Sequence, residues 1–208
     1  MYGLPKNTEI SKQLPKALIY RKYVLSPKEQ KLIDDNISRL DIVNEISVRT
    51  TSIAPGKNIA SFFIIKVQQK SFECSSDSLL LLDKLIGQKC IYALSYLGKT
   101  KFACNNIRLF TTKWFPEEEV SLSLNGINMD LVWTNIQAEV IGVDHVEETS
   151  LEFQVNRKIK IDDMTVELEK LRKAEKKEIQ PRKKQEIHIR IVGLKNRIEE
   201  MEENPLLG

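Results

Sequence analysis

Histidine is almost missing from this chain: His145 and His188 are the only two among 208 residues. Cysteine is also scarce. Cys74, Cys90 and Cys104 are odd in number, widely spaced and never form a C-x-x-C pair. A structural zinc site needs four closely placed Cys or His ligands, and a disulfide framework needs cysteines in even number. Neither fits this sequence, so reduced thiols buried among apolar neighbours are expected, and no metal or cofactor is expected. The glycines are isolated. There is no G-x-x-x-x-G-K-[ST] and no G-x-G-x-x-G, so the backbone cradle that holds a nucleotide phosphate in such motifs is missing. G-x-S-x-G is missing as well, which removes the usual hydrolase nucleophile elbow. The apolar runs Ile59–Ile65 and Leu79–Leu82 are far shorter than the roughly 20 residues that span a bilayer. The opening MYGLPKNTEISK has no apolar signal region, and its glycine stands at position 3 rather than at a myristoylation position. A cytoplasmic protein is the expectation.

Charge is plentiful and unevenly placed. Charged residues make up 29% of the chain, and the formal net charge is +3. The stretch KLRKAEKKEIQPRKK carries eight basic residues (Lys170, Arg172, Lys173, Lys176, Lys177, Arg182, Lys183 and Lys184) against two acids, Glu175 and Glu178. That stretch alone exceeds the net charge of the whole chain, so the positive charge is local. A local basic patch can meet an anionic partner even when the protein is nearly neutral.

Hydrophobic periodicity predicts an α+β fold: an antiparallel sheet core with packed helices and a C-terminal antiparallel coiled-coil hairpin. Residues 1–40 read as a mostly helical, basic segment. Ser26, Pro27 and Glu29 form a capping-box start, and Leu32, Ile33, Ile37 and Leu40 follow at helical spacing, which predicts a helix over Pro27–Arg39. Residues 41–143 form the α+β core. IVNEISV and IASFFIIKV are β-branched and aromatic, with Pro55-Gly56 as a turn between them. A helix from Ser75/Ser76 to about Ile86 ends at Gly87, and three strands follow over about 89–115. Pro116 and three glutamates break the sheet, and Asn128 caps a helix that ends at Gly142.

Residues 144–160 read as a connector and 161–204 as a helical hairpin. Ile161, Met164, Leu168 and Leu171 are spaced 3, 4, 3, and Ile187, Ile191, Leu194, Ile198 and Met201 are spaced 4, 3, 4, 3. Both sets are coiled-coil seams. Continuing the first heptad puts Glu175, Glu178, Arg182 and Gln185 at seam positions; Ile189 and Val192 fit again, but Asn196 and Glu199 do not. Pro181 removes a backbone donor and pushes Gln180 out of helical angles. Two helices near 162–178 and 182–203 are therefore predicted, folded back on each other; one kinked helix is the alternative. The hairpin gathers the basic residues at one tip.

Chemistry is harder to find. Strand–strand–helix–strand cores recur among metal-dependent nucleases, whose sites cluster carboxylates near a lysine. Here IASFFIIKVQQK holds Lys66 but no acid, and only Glu45 and Glu73 lie nearby in sequence. His188, between Ile187 and Ile189, reads as a surface or interhelical histidine. A second basic set, Lys6, Lys12, Lys16, Arg21 and Lys22, is interleaved with Tyr20 and Tyr23. Cations that neutralise phosphate and rings that stack on bases are the ingredients of nucleic-acid binding. The bland counterpart is a solvated charged surface, which coiled coils normally have.

The segments YGLPKNTEISKQLPKALIY, LSPKEQKLIDDNISRLDIVNEIS, LLDKLIGQKCIYALSYLGK and WFPEEEVSLSLNGINMDLVW, followed by the charged hairpin, resemble a bacterial domain-of-unknown-function family that opens with YGLPK-x-TE. The likeness runs over almost the whole chain. It implies an accessory protein encoded beside helicases and DNA methyltransferases in restriction or phage-defence loci, and it carries no catalytic residues. Lys113 stands where members commonly have an acid before the tryptophan, and the strand at 59–68 is less acidic than expected. Three functions follow in order. The first is a non-enzymatic accessory module with a helicase or methyltransferase partner. The second is a nucleic-acid-binding protein that uses the basic tip. The third is a degenerate nuclease-like protein. A seam left free would permit a homodimer.

Overall fold

The computed structural model describes residues 1–143, 149–204 and 206–207. The chain forms two compact units, Met1–Gly142 and Val143–Gly208. His145 and residues 144–148 of the predicted connector lie outside the described residues.

The first unit is built on a seven-stranded mixed sheet. Strands β1 (Glu9–Gln13), β2 (Ile37–Ser47), β3 (Ser61–Gln69), β4 (Cys90–Tyr96), β5 (Lys99–Asn105) and β6 (Leu109–Thr111) lie side by side in chain order, and the short β7 (Phe115–Pro116) also pairs with β5. Every pair is antiparallel except β3 with β4. The sheet expected to be antiparallel throughout is thus mixed. The reason is local: the helix α3 (Ser76–Ile86) separates β3 from β4, and a crossover helix lets the next strand run the same way. Gly87 ends α3 at φ 64°, where a side chain would be strained.

The N-terminal segment is less helical than its spacing suggests. It contains β1, α1 (Lys16–Tyr23) and α2 (Pro27–Asn36). The capping box of Ser26 and Glu29 forms as expected. The helix, however, stops at Asn36, three residues before the predicted Arg39. Asn36 clamps the stop. Its Nδ2 donates to Leu32 O at 2.8 Å, its Oδ1 accepts from Ser75 N at 2.9 Å, and its carbonyl accepts from Lys70 N at 3.0 Å. Ile37 and Leu40 then belong to β2, facing Gln69 and Val67. A register irregularity between Ile37 and Arg39 produces their three-residue spacing, which imitates a helix.

Alternation along the strands gives the sheet two covered faces. Leu40, Ile65, Val67, Tyr92, Leu94 and Ala103 pack under α1–α3 against Ile33, Leu79, Leu82 and Leu85. The other face carries Phe62, which meets Trp133 at 5.2 Å, and Phe102, which meets Tyr2 edge-on at 5.4 Å. Trp133 belongs to α4 (Met129–Ile141), capped by Asn128 through Leu131 N at 3.0 Å and closed by Gly142.

The second unit is the helical hairpin. Helix α5 spans Leu151–Lys177 and α6 spans Pro181–Glu203. Helix α5 starts about three turns earlier than its heptads predict and takes in most of the stretch expected to be a connector, because the Ser150 hydroxyl caps it by accepting from Phe153 N at 3.2 Å. Pro181 occupies the first turn of α6, where its missing N–H is harmless. The helices run antiparallel: Arg157 bonds the carbonyl of Met201, Arg190 pairs with Glu167 at 3.2 Å, and His188 Nδ1 meets Glu175 at 2.8 Å. Leu168, Ile191 and Ile198 are buried between them, flanked by Ile161, Met164, Leu171, Ile187 and Leu194. Met201 is buried as well. Ile189, which a single continuous heptad would bury, is 63% exposed.

Candidate functional site

The hairpin tip is made by Glu178, Ile179 and Gln180, the only residues between α5 and α6. Glu178 shapes it. Its carboxylate accepts from Ile179 N at 3.0 Å and from Gln180 N at 2.9 Å. Lys170, Arg172, Lys173, Lys176 and Lys177 lie on the last turns of α5; Arg182, Lys183 and Lys184 lie on the first turn of α6. All eight side chains are exposed. Of these, only Arg182 makes an ion pair among the described residues, with Glu186 at 3.4 Å. The two acids inside the stretch are both engaged elsewhere: Glu175 holds His188, and Glu178 holds the turn.

Helix dipoles act differently on the two halves. Lys176 and Lys177 sit at a helix C-terminus, where cations are favoured. Arg182, Lys183 and Lys184 sit at a helix N-terminus, where cations are disfavoured, and the first turn of α6 has no acid to offset them.

The second basic set has a different role. Lys16 pairs with Asp34 and also donates to Ile37 O at 2.9 Å, while Tyr20 donates its hydroxyl to Asp34 at 2.8 Å. These groups tie α1 to α2. Burial is the main cause that raises the Tyr20 hydroxyl above its ordinary range, with the Asp34 bond next. Lys22 lies over the Tyr23 ring at 4.8 Å.

The residues considered for a nuclease site do not converge. Lys66 pairs with Glu117, an acid from the turn after β7 rather than from a neighbouring strand. Glu45 stands opposite Phe63 in the β2–β3 register, so it lies on the other face of the sheet from Lys66. Its carboxylate meets Arg49 at 3.2 Å. Among the described residues, no group of three or more His, Cys, Asp or Glu side chains is placed to hold a metal ion. Among them, too, no helix is long and apolar enough to cross a membrane.

One polar arrangement was not legible in the sequence. Asp83 on α3 accepts from Tyr92 OH at 2.9 Å and from Asn105 Nδ2 at 2.8 Å, joining α3, β4 and β5. Cys90 and Cys104 lie within reach of its charge. Burial first, and that charge second, push both thiols up to about 12. No motif spacing links residues 83, 92 and 105; the parallel β3–β4 crossover and the antiparallel β4–β5 pairing bring them together.

No curated protein and no solved structure matches the chain. The family model described as "Domain of unknown function (DUF4391)" matches residues 2–198, nearly the whole length. It takes in both the sheet unit and almost all of the hairpin, so the chain belongs to the DUF4391 family.

Proposed function

We propose that this protein is a non-catalytic accessory module of a bacterial DNA-processing assembly, and that its hairpin tip contacts nucleic-acid phosphate. The observation that carries this reading is the state of the tip. Eight exposed cations flank a three-residue turn, and the two acids among them are engaged by His188 and by the turn itself. Three of those cations oppose the α6 dipole. Such a layout weakens the helix start unless an anion lies there, and phosphate supplies one. The sheet unit supplies a folded platform for a protein partner. The family resemblance points to a helicase or a DNA methyltransferase as that partner.

Fluorescence anisotropy with a labelled 20-base-pair duplex tests the nucleic-acid part. Binding should weaken steeply with salt, with a log–log slope of about −0.9 for each phosphate neutralised. Reversing Lys176, Lys177, Arg182 and Lys183 to glutamate should weaken binding at least about tenfold and flatten the slope. Circular dichroism should show the helices intact. A shallow slope, or a variant that binds as well as the parent, would overturn the tip assignment. Affinity capture from the native host tests the partner, with a helicase or methyltransferase as the expected companion.

A further inference from the structure

An apolar cleft of about 340 Å³ opens beside the last turn of α1. Leu18, Lys22 and Tyr23 line it from α1, Ile86 from the end of α3, and Ile42 and Phe63 from β2 and β3. The packing of α1 on the sheet leaves this spot open: Ile42, Phe63 and Ile86 are only half-buried, and Leu18 is 48% exposed. Sites for small molecules are usually clefts of about 300–1,000 Å³, mostly apolar, with a few placed polar groups. Here the strongly polar side chains in the lining are Lys22 and Gln88.

Two further observations point to a ligand. The first is the charge. Among the described residues no acid lines the cleft. Lys22 is exposed, lies over the Tyr23 ring at 4.8 Å and makes no ion pair among the described residues. Acids on the surrounding elements are engaged: Asp34 by Lys16 and Tyr20, and Glu45 by Arg49. Asp83 keeps its charge between Tyr92 and Asn105, and that charge reaches Cys90 in the cleft lining. The anionic end of a ligand therefore belongs at Lys22, away from Cys90. The second observation is Val24, which follows Tyr23 at the end of α1. It is 89% exposed and adopts left-handed angles, φ 49° and ψ 52°. A β-branched residue is an outlier there, and such strained residues cluster at ligand clamps.

An apolar body with a single anionic group matches this lining. We infer that the cleft binds a small apolar carboxylate, its alkyl or aryl body against Leu18, Ile42, Phe63 and Ile86 and its carboxylate on the Lys22 ammonium. Burial of the body supplies most of the affinity, and the charge-assisted bond to Lys22 selects an acid over an alcohol or an amine. This site lies in the sheet unit, uses none of the hairpin cations and does not depend on the nucleic-acid reading of the tip.

Isothermal titration of the full chain with hexanoate, octanoate, 4-phenylbutyrate, octanol and octylamine tests the inference. Octanoate should bind about tenfold more tightly than hexanoate, since each extra methylene taken out of water is worth roughly a factor of three to four. It should also bind at least about fivefold more tightly than octanol or octylamine, whose bodies are the same length. Lys22→Met keeps the side-chain length and removes the charge, and should bring octanoate down to the level of octanol. Lys22→Glu should turn the preference toward octylamine. Lys22 is exposed, so both variants should keep the parent's circular dichroism and midpoint. Four results would each sink the inference: no binding of octanoate or 4-phenylbutyrate at millimolar concentration, affinity indifferent to chain length, octanol or octylamine bound as tightly as octanoate, or a preference for the acid that survives both Lys22 variants.

Discussion

Asp130, in the first turn of α4, holds the β2–β3 loop by its backbone: its carboxylate accepts from Lys57 N and Ile59 N at 2.8 Å each and from Asn58 N at 3.2 Å. Three successive N–H groups turned toward one point form the kind of nest that binds anions. Here the protein supplies the anion itself. Gly56 is what allows the approach, because a Cβ there would stand 2.3 Å from Asp130 Oδ1. Asp130→Ala should destabilise the sheet unit by roughly 1.5–3 kcal/mol, the range for hydrogen bonds to a charged group. Gly56→Ala should be at least as damaging, since it expels the carboxylate rather than deleting it. Urea unfolding checks both. The midpoint should fall with the slope unchanged, and a Gly56→Ala midpoint equal to the parent's would refute the lock.

The buried thiols make a pH prediction. Cys90 and Cys104 are raised from the ordinary 9.0 to about 12, chiefly by burial and next by the charge of Asp83. A raised thiol favours the folded state while it stays protonated. The contribution is therefore complete below about pH 9 and is lost as pH climbs through about 12. Stability should decline over that window, and less steeply in Cys104→Ala. Tyr92, also raised by burial, titrates on the alkaline side too, so thiol reactivity is the cleaner readout. With a disulfide reagent at pH 8, half-buried Cys74 should react first, and Cys90 and Cys104 only on unfolding.

The hairpin seam predicts three substitutions with different outcomes. Gly193 sits inside α6, and a Cβ there would meet nothing within 4 Å. Gly193→Ala should therefore stabilise the hairpin by about 0.5–1 kcal/mol, through helix propensity alone. Ile198→Ala, at a position 9% exposed, should destabilise it by about 2–4 kcal/mol. Ile189→Ala, at an exposed position, should stay within about 0.5 kcal/mol. Hydrogen exchange of the α6 amides reads all three. A large loss at Ile189 would mean that one continuous heptad, rather than two, sets the packing.

Local rules carried the reading of the sequence a long way. Ser26 with Glu29, Asn128, Gly87 and Gly142 mark helix ends through bonds made within a few residues, and the structure places those ends there. The loss of heptad phase at Pro181 likewise separates α5 from α6. What was not legible depends on partners far away in the chain. The fate of Ile37 and Leu40 is decided by Gln69 and Val67 across the sheet and by the clamp at Asn36, and no window around residue 37 contains those partners. Strand β1 exists because β2 offers it an edge, since EISKQ alone has too few apolar residues to announce a strand. A polar cleft at the end of the sheet was invisible for the same reason. Lys84, Asn106 and Gln137 come from separate elements and line it only because the sheet brings them together.

The proposed absence of catalysis gives the last prediction. A metal-dependent nuclease needs carboxylates and a lysine converging on one face of adjacent strands. In this protein Lys66 and Glu45 occupy opposite faces, Lys66 pairs with Glu117, and Glu45 meets Arg49. Assembling a site would require breaking two ion pairs and moving a side chain through the sheet. Supercoiled plasmid incubated with the purified protein and Mg²⁺ or Mn²⁺ should therefore remain supercoiled, and Lys66→Ala should change nothing in that assay. Nicking by the parent that disappears in Glu45→Ala, Glu73→Ala or Glu117→Ala would reverse the accessory assignment. It would also mean that the carboxylates rearrange around a metal ion in a way the resting geometry does not foreshadow.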